Sequence, residues 1–401
     1  MQKPTLSTHL VSVTLMLALC CVESQLLAQG INLTGVGPVN RAMAGAGTAA
    51  PLDAIGALHW NPGSISALPG NEVSFGMELL LADITLSTSV GGVPSTQSGE
   101  AGVAPIPSIG WVHHIEDTPM TIGLGLYGIA GFRNNLPAGP ALASLGIAGP
   151  AFADAEILQI APTLSYAVTD RLSIGISPTV TTQKVQLMPL GPSVVTPLPT
   201  PGQGSRVHWG GGLQVGVYYI TDRCIHLGLT VKSPQWFEDL RFFTPGGVVK
   251  FDLDFPMIIS LGAAYTGIDN WVFAVDARYF DYDNTAGYSE FGWSNIFAGA
   301  IGAQYHVNDR LFVRMGYNFN QNPIHATDVA ANSLNPLIQE QNLAAGASYR
   351  FAENVDLNLA YVYLVNNGVS GPLPSPPFGP ADTISNEISA HSAVVGVTVR
   401  Y

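Results

Sequence analysis

The chain is poor in charge. Of its 401 residues only 11% are Asp, Glu, Lys or Arg, where soluble domains average roughly 25%. A folded surface in water needs more, so the composition disfavours an ordinary soluble enzyme. Long apolar runs are also missing. The one extended stretch covers residues 10–19, whereas a helical membrane protein of this size would carry several runs of about 20 residues. Cysteine is scarce: Cys20 and Cys21 sit beside that stretch and Cys224 stands alone, so no disulfide framework is available. Cations number 15 against 28 acidic residues, a net charge of −13, and a nucleic-acid partner, which wants a basic stripe, is excluded. What is plentiful is apolar residue (47%), glycine (44) and proline (29), with a mean hydropathy of +0.27. That is too hydrophobic for disorder. The chain is too apolar for water yet has no helices with which to cross a bilayer.

Lys3 followed by the apolar residues 10–19 reads as a secretory leader, with cleavage expected after Ala28 and a mature start at Gln29. A lipid-modified cysteine is disfavoured, because Leu19 and Cys20, the residues before Cys20 and Cys21, are not the small residue such processing needs. The leader removes one Lys and one Glu, so the mature charge is unchanged.

Short polar punctuation recurs along the rest: Thr169-Asp170-Arg171, Thr221-Asp222-Arg223, Ile268-Asp269-Asn270, Asn308-Asp309-Arg310 and Ala352-Glu353-Asn354, with Glu116-Asp117-Thr118 upstream. The later acidic positions are 40 to 52 residues apart, room for two strands and one long loop, which is too few strands for a propeller blade. Each turn is as short as a tight hairpin requires. The segments between turns alternate. Leu311, Val313, Met315, Tyr317 and Phe319 share one face and Arg314, Gly316, Asn318 and Asn320 the other; Val355, Leu357, Leu359, Tyr361 and Tyr363 oppose Asp356 and Asn358. A soluble sandwich and a lipid-embedded barrel give the same alternation. Three features favour the barrel: 14 strands between residue 71 and Tyr401, strict alternation of short turns with long loops, and aromatic residues beside the short turns (Tyr166, Tyr219, Tyr265, Trp271, Tyr305, Tyr349, Phe351). An even strand count and an aromatic girdle are properties of bacterial outer-membrane barrels. The last strand, with Ala393, Val395, Val397, Val399 and terminal Tyr401 on one face, resembles the signal that barrel-assembly machinery reads. Pro162 and Pro178 fall inside expected strands, where proline cannot donate to the ladder.

The expected organisation is therefore a leader over 1–28, an N-terminal hatch over 29–70 and an all-β, 14-stranded antiparallel transmembrane barrel over 71–401, in the outer membrane of a Gram-negative bacterium. Residues 30–70 are rich in Gly and Ala and suit a plug packed inside a narrow lumen. Gly45-Ala46-Gly47-Thr48-Ala49-Ala50 also matches a loose dinucleotide fingerprint, but no βαβ unit surrounds it.

Gly45, Gly47, the stretch 53–60 and Asn61-Pro62-Gly63 resemble the hatch of the FadL-like outer-membrane transporters, whose hallmark before the first strand is Asn-Pro-Ala; Gly63 departs from it. Residues 162–184, with Tyr166 before the turn and Gly175 after it, share the family's look. The resemblance implies passive uptake of hydrophobic small molecules, long-chain fatty acids or aromatic hydrocarbons, with no cofactor. The ligand would be captured among apolar external loops, held in a pocket, and released sideways into lipid through a gap at a kinked third strand. Release into lipid is favourable because each buried CH₂ contributes about 0.8 kcal/mol. The third strand, residues 121–131, carries Gly123, Gly125, Gly128 and Gly131, and glycine permits bends and bulges; packing against the hatch explains them equally. Capture loops carry Leu187, Met188, Leu190, Val194, Val195 and Leu198, then Trp236, Phe237, Phe242 and Phe243; exposed apolar patches mark binding surfaces, though loops folding over one another would also use them. Arg133, Lys184, Arg206 and Arg241 are candidates to meet a carboxylate, or simply solvated charges.

Enzymatic readings find no nucleophile elbow or phosphate-binding loop. His113 and His114 are adjacent, so on a strand they face opposite sides and cannot share a zinc ion; His226 and His306 are weak candidates for a barrel hydrolase. The rivals are a polar-solute porin, which would need no hatch, and, behind it, a barrel hydrolase or adhesin.

Overall fold

The computed structural model describes residues 30–188, 206–244 and 246–401; the leader, Leu190, Val194, Val195 and Leu198 lie outside them. Fourteen long strands make the barrel: β1 Glu72–Val90, β2 Val103–His114, β3 Met120–Leu136, β4 Ala151–Ala167, β5 Leu172–Met188, β6 His208–Ile220, β7 Ile225–Lys232, β8 Ile258–Tyr265, β9 Trp271–Phe280, β10 Ile296–His306, β11 Leu311–Asn320, β12 Gln341–Ala352, β13 Val355–Pro372 and β14 Thr383–Arg400. Each pairs antiparallel with the next, and β14 returns to β1 from Glu72↔Arg400 to Ser89↔Thr383. Closure joins the first strand to the last, so the ring has no free end strand, as a bilayer requires.

The recurring punctuation forms the short turns, and its first residue explains the motif. The Thr169 hydroxyl accepts from the backbone N–H of Arg171 and Leu172, Thr221 from Arg223 and Ile225, and the Asn308 carbonyl oxygen from Arg310 and Leu311. These side chains take backbone donors that a two-strand turn would otherwise leave open.

Burial settles what alternation could not. Along β11 the apolar face is exposed, Met315 at 67%, while Arg314 opposite it is 9% exposed and Asn318 is buried. Leu357, Leu359 and Tyr361 point outward on β13, and Asp356 and Asn358 inward. Apolar outside and polar inside is the reverse of a soluble sandwich. At the short-turn end Trp271 packs against Tyr305 with ring centroids 4.6 Å apart, and the Trp111 indole donates to the Tyr401 hydroxyl at 2.7 Å. The terminal residue is thus part of the girdle.

Residues 30–70 fill the lumen. They contain two short helices, α1 Pro38–Ala42 and α2 Ala54–Trp60, and a 3-10 turn Pro62–Ala67. The wall meets this segment with glycines: a Cβ on Gly175 would lie 2.3 Å from the Pro62 carbonyl carbon, and one on Gly316 2.4 Å from that of Met43. Close backbone approach of this kind admits only glycine.

Pro162 and Pro178 share one interruption. The β4–β5 ladder pairs Ile160 with Val180 and resumes at Leu164 with Ile176, so the two prolines face each other across the missing rungs. Hydroxyls mend the wall: Ser177 donates to the Pro162 carbonyl at 2.9 Å and Thr163 to that of Ala161 at 3.2 Å.

Candidate functional site

Toward the long-loop end the barrel's polarity inverts. On β4, Asp154 and Glu156 point outward, where Arg133 pairs with both, while Ala151, Ala153, Ala155 and Ile157 point inward. Ala155 and Ile157 of that face form one side of a cavity of about 320 Å³. Val185 on β5, Phe242 and Phe251 of an external hairpin, Trp293 of the β9–β10 loop and Ile31 of the N-terminal segment close it. No charged side chain lines it among the described residues. The Trp293 indole donates to Asn332 at 2.8 Å, which satisfies its polar tip, while its rings pack with Tyr282 and Tyr288 at 5.0 and 4.8 Å. A concave apolar chamber of this size is a small-molecule site in form.

The wall beside the cavity is broken. β3 pairs with β2 from His114↔Thr121 only as far as Ser108↔Tyr127. Beyond that, β2 residues 103–107 bond β1 alone, and β3 keeps its partner β4 through a bulge between Gly128 and Ala130. The bulge turns β3 inward, where Leu33 N donates to Ile129 O at 3.0 Å and Asn32 bridges Ala130. Pro105 and Pro107, which lack donors, stand in the stretch of β2 without a second partner. The side chain of Ile106 fills space beside Gly128, and Glu100 N donating to Asn135 O at 2.7 Å bounds the gap above.

Below the cavity the N-terminal segment is tied to the wall by buried charge. Gly45 adopts φ +87°, and a Cβ there would lie 1.7 Å from Thr34 O. The tight turn it permits presents Gly47 N and Thr48 N to Asp276 Oδ2 at 2.9 and 3.0 Å; the same oxygen accepts from the Thr48 hydroxyl at 2.8 Å and Arg278 Nη2 at 2.6 Å. Arg278 lies over the Trp60 ring, 3.4 Å from its centroid. Asn61 Nδ2 donates to Thr48 O at 2.9 Å and to Val217 O of β6 at 3.0 Å, while its Oδ1 accepts from Gly63 N at 3.0 Å. Pro62 opens the 3-10 turn, and Gly63 lies against Gly216 O. Arg41 reaches Glu78 of β1 at 2.5 Å. Asp53 caps α2 through Gly56 N at 3.0 Å, and Glu72 of β1 accepts from Ala54 N at 2.7 Å. Burial, reinforced by the Glu72 carboxylate, pushes Asp53 up to about 7.

Sequence comparison fits this architecture to a known group. The profile of the family described as outer membrane protein transport protein (OMPP1/FadL/TodX) matches residues 19–238 and 244–401. The chain belongs to this family. It is accordingly an outer-membrane protein, and the family is one of transport proteins. Solved structures with the same fold include the toluene transporter TodX of P. putida (20% identity, 92% of this chain and 99% of that one, TM-score 0.72). Others are the Ralstonia pickettii toluene transporter TbuX (19%, 92% and 99%, 0.69) and a Pseudomonas aeruginosa FadL homologue (16%, 93% and 99%, 0.71). No curated protein matches the chain.

Against this family fold the individual expectations divide. Phe242 and Leu187 line the cavity. Met188 ends β5 beside it, and Phe237 packs against the core. Trp236 and Phe243 are 58% and 61% exposed and face away. Gly128 marks the bulge and Gly131 follows it, whereas Gly123 and Gly125 lie in the regular ladder, Gly123 against Leu58 of α2. Arg133, Lys184, Arg206 and Arg241 are absent from the cavity lining; Arg206 pairs with Glu238 at 2.8 Å. Tyr288, Phe291 and Trp293 were not anticipated from sequence. They sit in a loop with no period, and only the fold brings it over the lumen. The inner face of β4 did carry a signal: Ala151, Ala153, Ala155 and Ile157 are all apolar, whereas Gln159, Thr163 and Ser165 further along the same parity are polar.

Proposed function

We propose that this protein is a passive channel for hydrophobic small molecules, which enter the cavity from outside and leave sideways through the gap between β2 and β3. The observation that carries the reading is the uncharged cavity adjoining an unpaired stretch of wall. A hydrophobic solute gains nothing from an aqueous pore, but it gains at each step from external loops to apolar chamber to lipid. The bulge at Gly128–Ala130 supports the sideways route, because it draws β3 off β2 at the level of the cavity floor.

The lining favours a ligand whose body is uncharged, such as an aromatic hydrocarbon or the chain of a fatty acid. TodX and TbuX are described as toluene transporters, and toluene is of a size for about 320 Å³. Residues 30–70 act in this reading as a hatch: they fill the lumen beneath the cavity, which runs against a polar-solute porin. The assay is uptake of labelled toluene and labelled oleate by cells with and without the gene. Uptake of at least one should depend on the gene. Dependence of neither, with free passage of small sugars, would replace the channel with a porin.

A further inference from the structure

The cavity is apolar except at one corner. Gln183, pointing inward on β5 and 1% exposed, lines it. Its Nε2 donates to Leu253 O at 2.9 Å, and because a carbonyl only accepts, the nitrogen end of the amide must be the one that faces Leu253. The oxygen end accepts from no described residue and is not sealed from the cavity. His208, its cross-strand neighbour on β6, does not cover it: both His208 ring nitrogens are without partners. Tyr288 lies beside the same corner, since a Cβ on Gly287 would stand 3.1 Å from Leu253 Cα, and its hydroxyl is buried and unpartnered. The other polar side chains of the lining are occupied or peripheral. Trp293 donates to Asn332, Ser333 donates to Ala330 O, and Asn335 is half-buried on its loop.

An unspent amide oxygen in an apolar chamber discriminates between ligands by whether they bring it a donor. A hydrocarbon would displace water from it and supply nothing in return, which loses affinity. A carboxylate would set lone pairs against lone pairs, and no cation lines the cavity among the described residues. A hydroxyl brings one hydrogen, and on an aromatic ring, with a pKa of about 10, it stays neutral at ordinary pH. The rest of the lining suits such a ring, because Phe242, Phe251, Phe291 and Trp293 supply partners for aromatic packing. We infer that this cavity takes a small neutral phenol, its O–H donated to Gln183 Oε1 and its ring among those aromatic side chains, and that Gln183 is a specificity-determining residue. The inference rests on the proposed channel function and narrows its ligand class.

p-Cresol and p-xylene, which differ by a hydroxyl in place of a methyl, test it by calorimetry on the purified full-length mature barrel in detergent. Ala155→Trp, with its cavity filled, is the blank for ligand taken up by micelles. Gln183→Leu should weaken p-cresol roughly threefold to tenfold, the worth of one neutral hydrogen bond, and leave p-xylene within about twofold or tighter. If the two ligands move together, or neither moves, the inference is overturned while the cavity keeps its role. Wild-type crystals soaked in 4-bromophenol decide the matter whether or not the variant folds. The anomalous bromine peak should lie in the cavity away from Gln183, with the phenol oxygen on Gln183 Oε1. Bromine against Gln183, or none in the cavity, overturns the inference. Binding of neither p-cresol nor p-xylene above the blank refutes the cavity as a ligand site, and the channel reading then falls together with the inference.

Discussion

Replacing Asp276 by alanine should unlatch the N-terminal segment without unfolding the barrel. One carboxylate oxygen of Asp276 holds two backbone amides, one hydroxyl and the Arg278 guanidinium, all within 3.0 Å. Both members of the ion pair are buried. In Asp276→Ala, Arg278 keeps Gly45 O and the Trp60 face but becomes an uncompensated buried cation, which costs about 3–5 kcal/mol. At 1.4 kcal/mol per tenfold, the open fraction of the segment should rise by roughly a hundredfold to a few thousandfold. Strand pairing does not involve this side chain, so the barrel itself should hold. The assay is planar-bilayer conductance of the purified protein, with heat-modifiable gel mobility as the measure of barrel integrity. The wild type should be nearly silent and the variant should pass steady ion current. Asp276→Asn, which retains an acceptor oxygen for the two amides, should fall between them. A variant that is folded and as silent as the wild type, with unchanged hydrogen exchange at Gly47 and Thr48, would falsify the latch.

Ala155→Trp, pointing into a cavity of about 320 Å³, should abolish hydrocarbon binding measured by fluorescence and leave gel mobility unchanged; intact binding would place the ligand elsewhere. Deleting Ile129 removes the extra residue of the bulge and should let β3 rejoin β2. Cellular uptake should then fall sharply while binding to purified protein persists, and undiminished uptake would discard the sideways route. Asp53 predicts a pH effect. Its folded-state value of about 7 lies above the ordinary 3.8, so the folded state holds the proton more tightly. The seat of α2 should be firmest below about pH 4 and weaken as pH rises through about 7. Hydrogen exchange at Gly56 between pH 4 and 8, corrected for intrinsic rates, should show this slope, and Asp53→Asn should remove it.

Strand number, the sorting of short turns and long loops, and the inside-outside parity of β11 and β13 were legible in the sequence, because pleating projects alternate residues to opposite faces and turn chemistry is local. Asn61, Pro62 and Gly63 were legible as a motif, but not the bond from Asn61 to Val217, which joins residues far apart in the chain. Trp236 and Phe243 show the limit of composition: both are apolar loop residues beside Phe237 and Phe242, yet they face outward, since on a hairpin neighbours take opposite sides. Gly123 and Gly125 likewise could not be told from Gly128, because a bulge is a mismatch between two strands and belongs to neither alone.

The sequence by itself determined a lipid-facing, 14-stranded barrel with a small-residue segment ahead of it. Periodicity and turns are properties of short windows, and low charge is a property of the whole. The tertiary structure alone decided that residues 30–70 occupy the lumen, that distant loops close an uncharged chamber over β4 and β5, and that β3 parts from β2 beside it. Each of these depends on which residues meet across closure of the ring, and no local pattern records that.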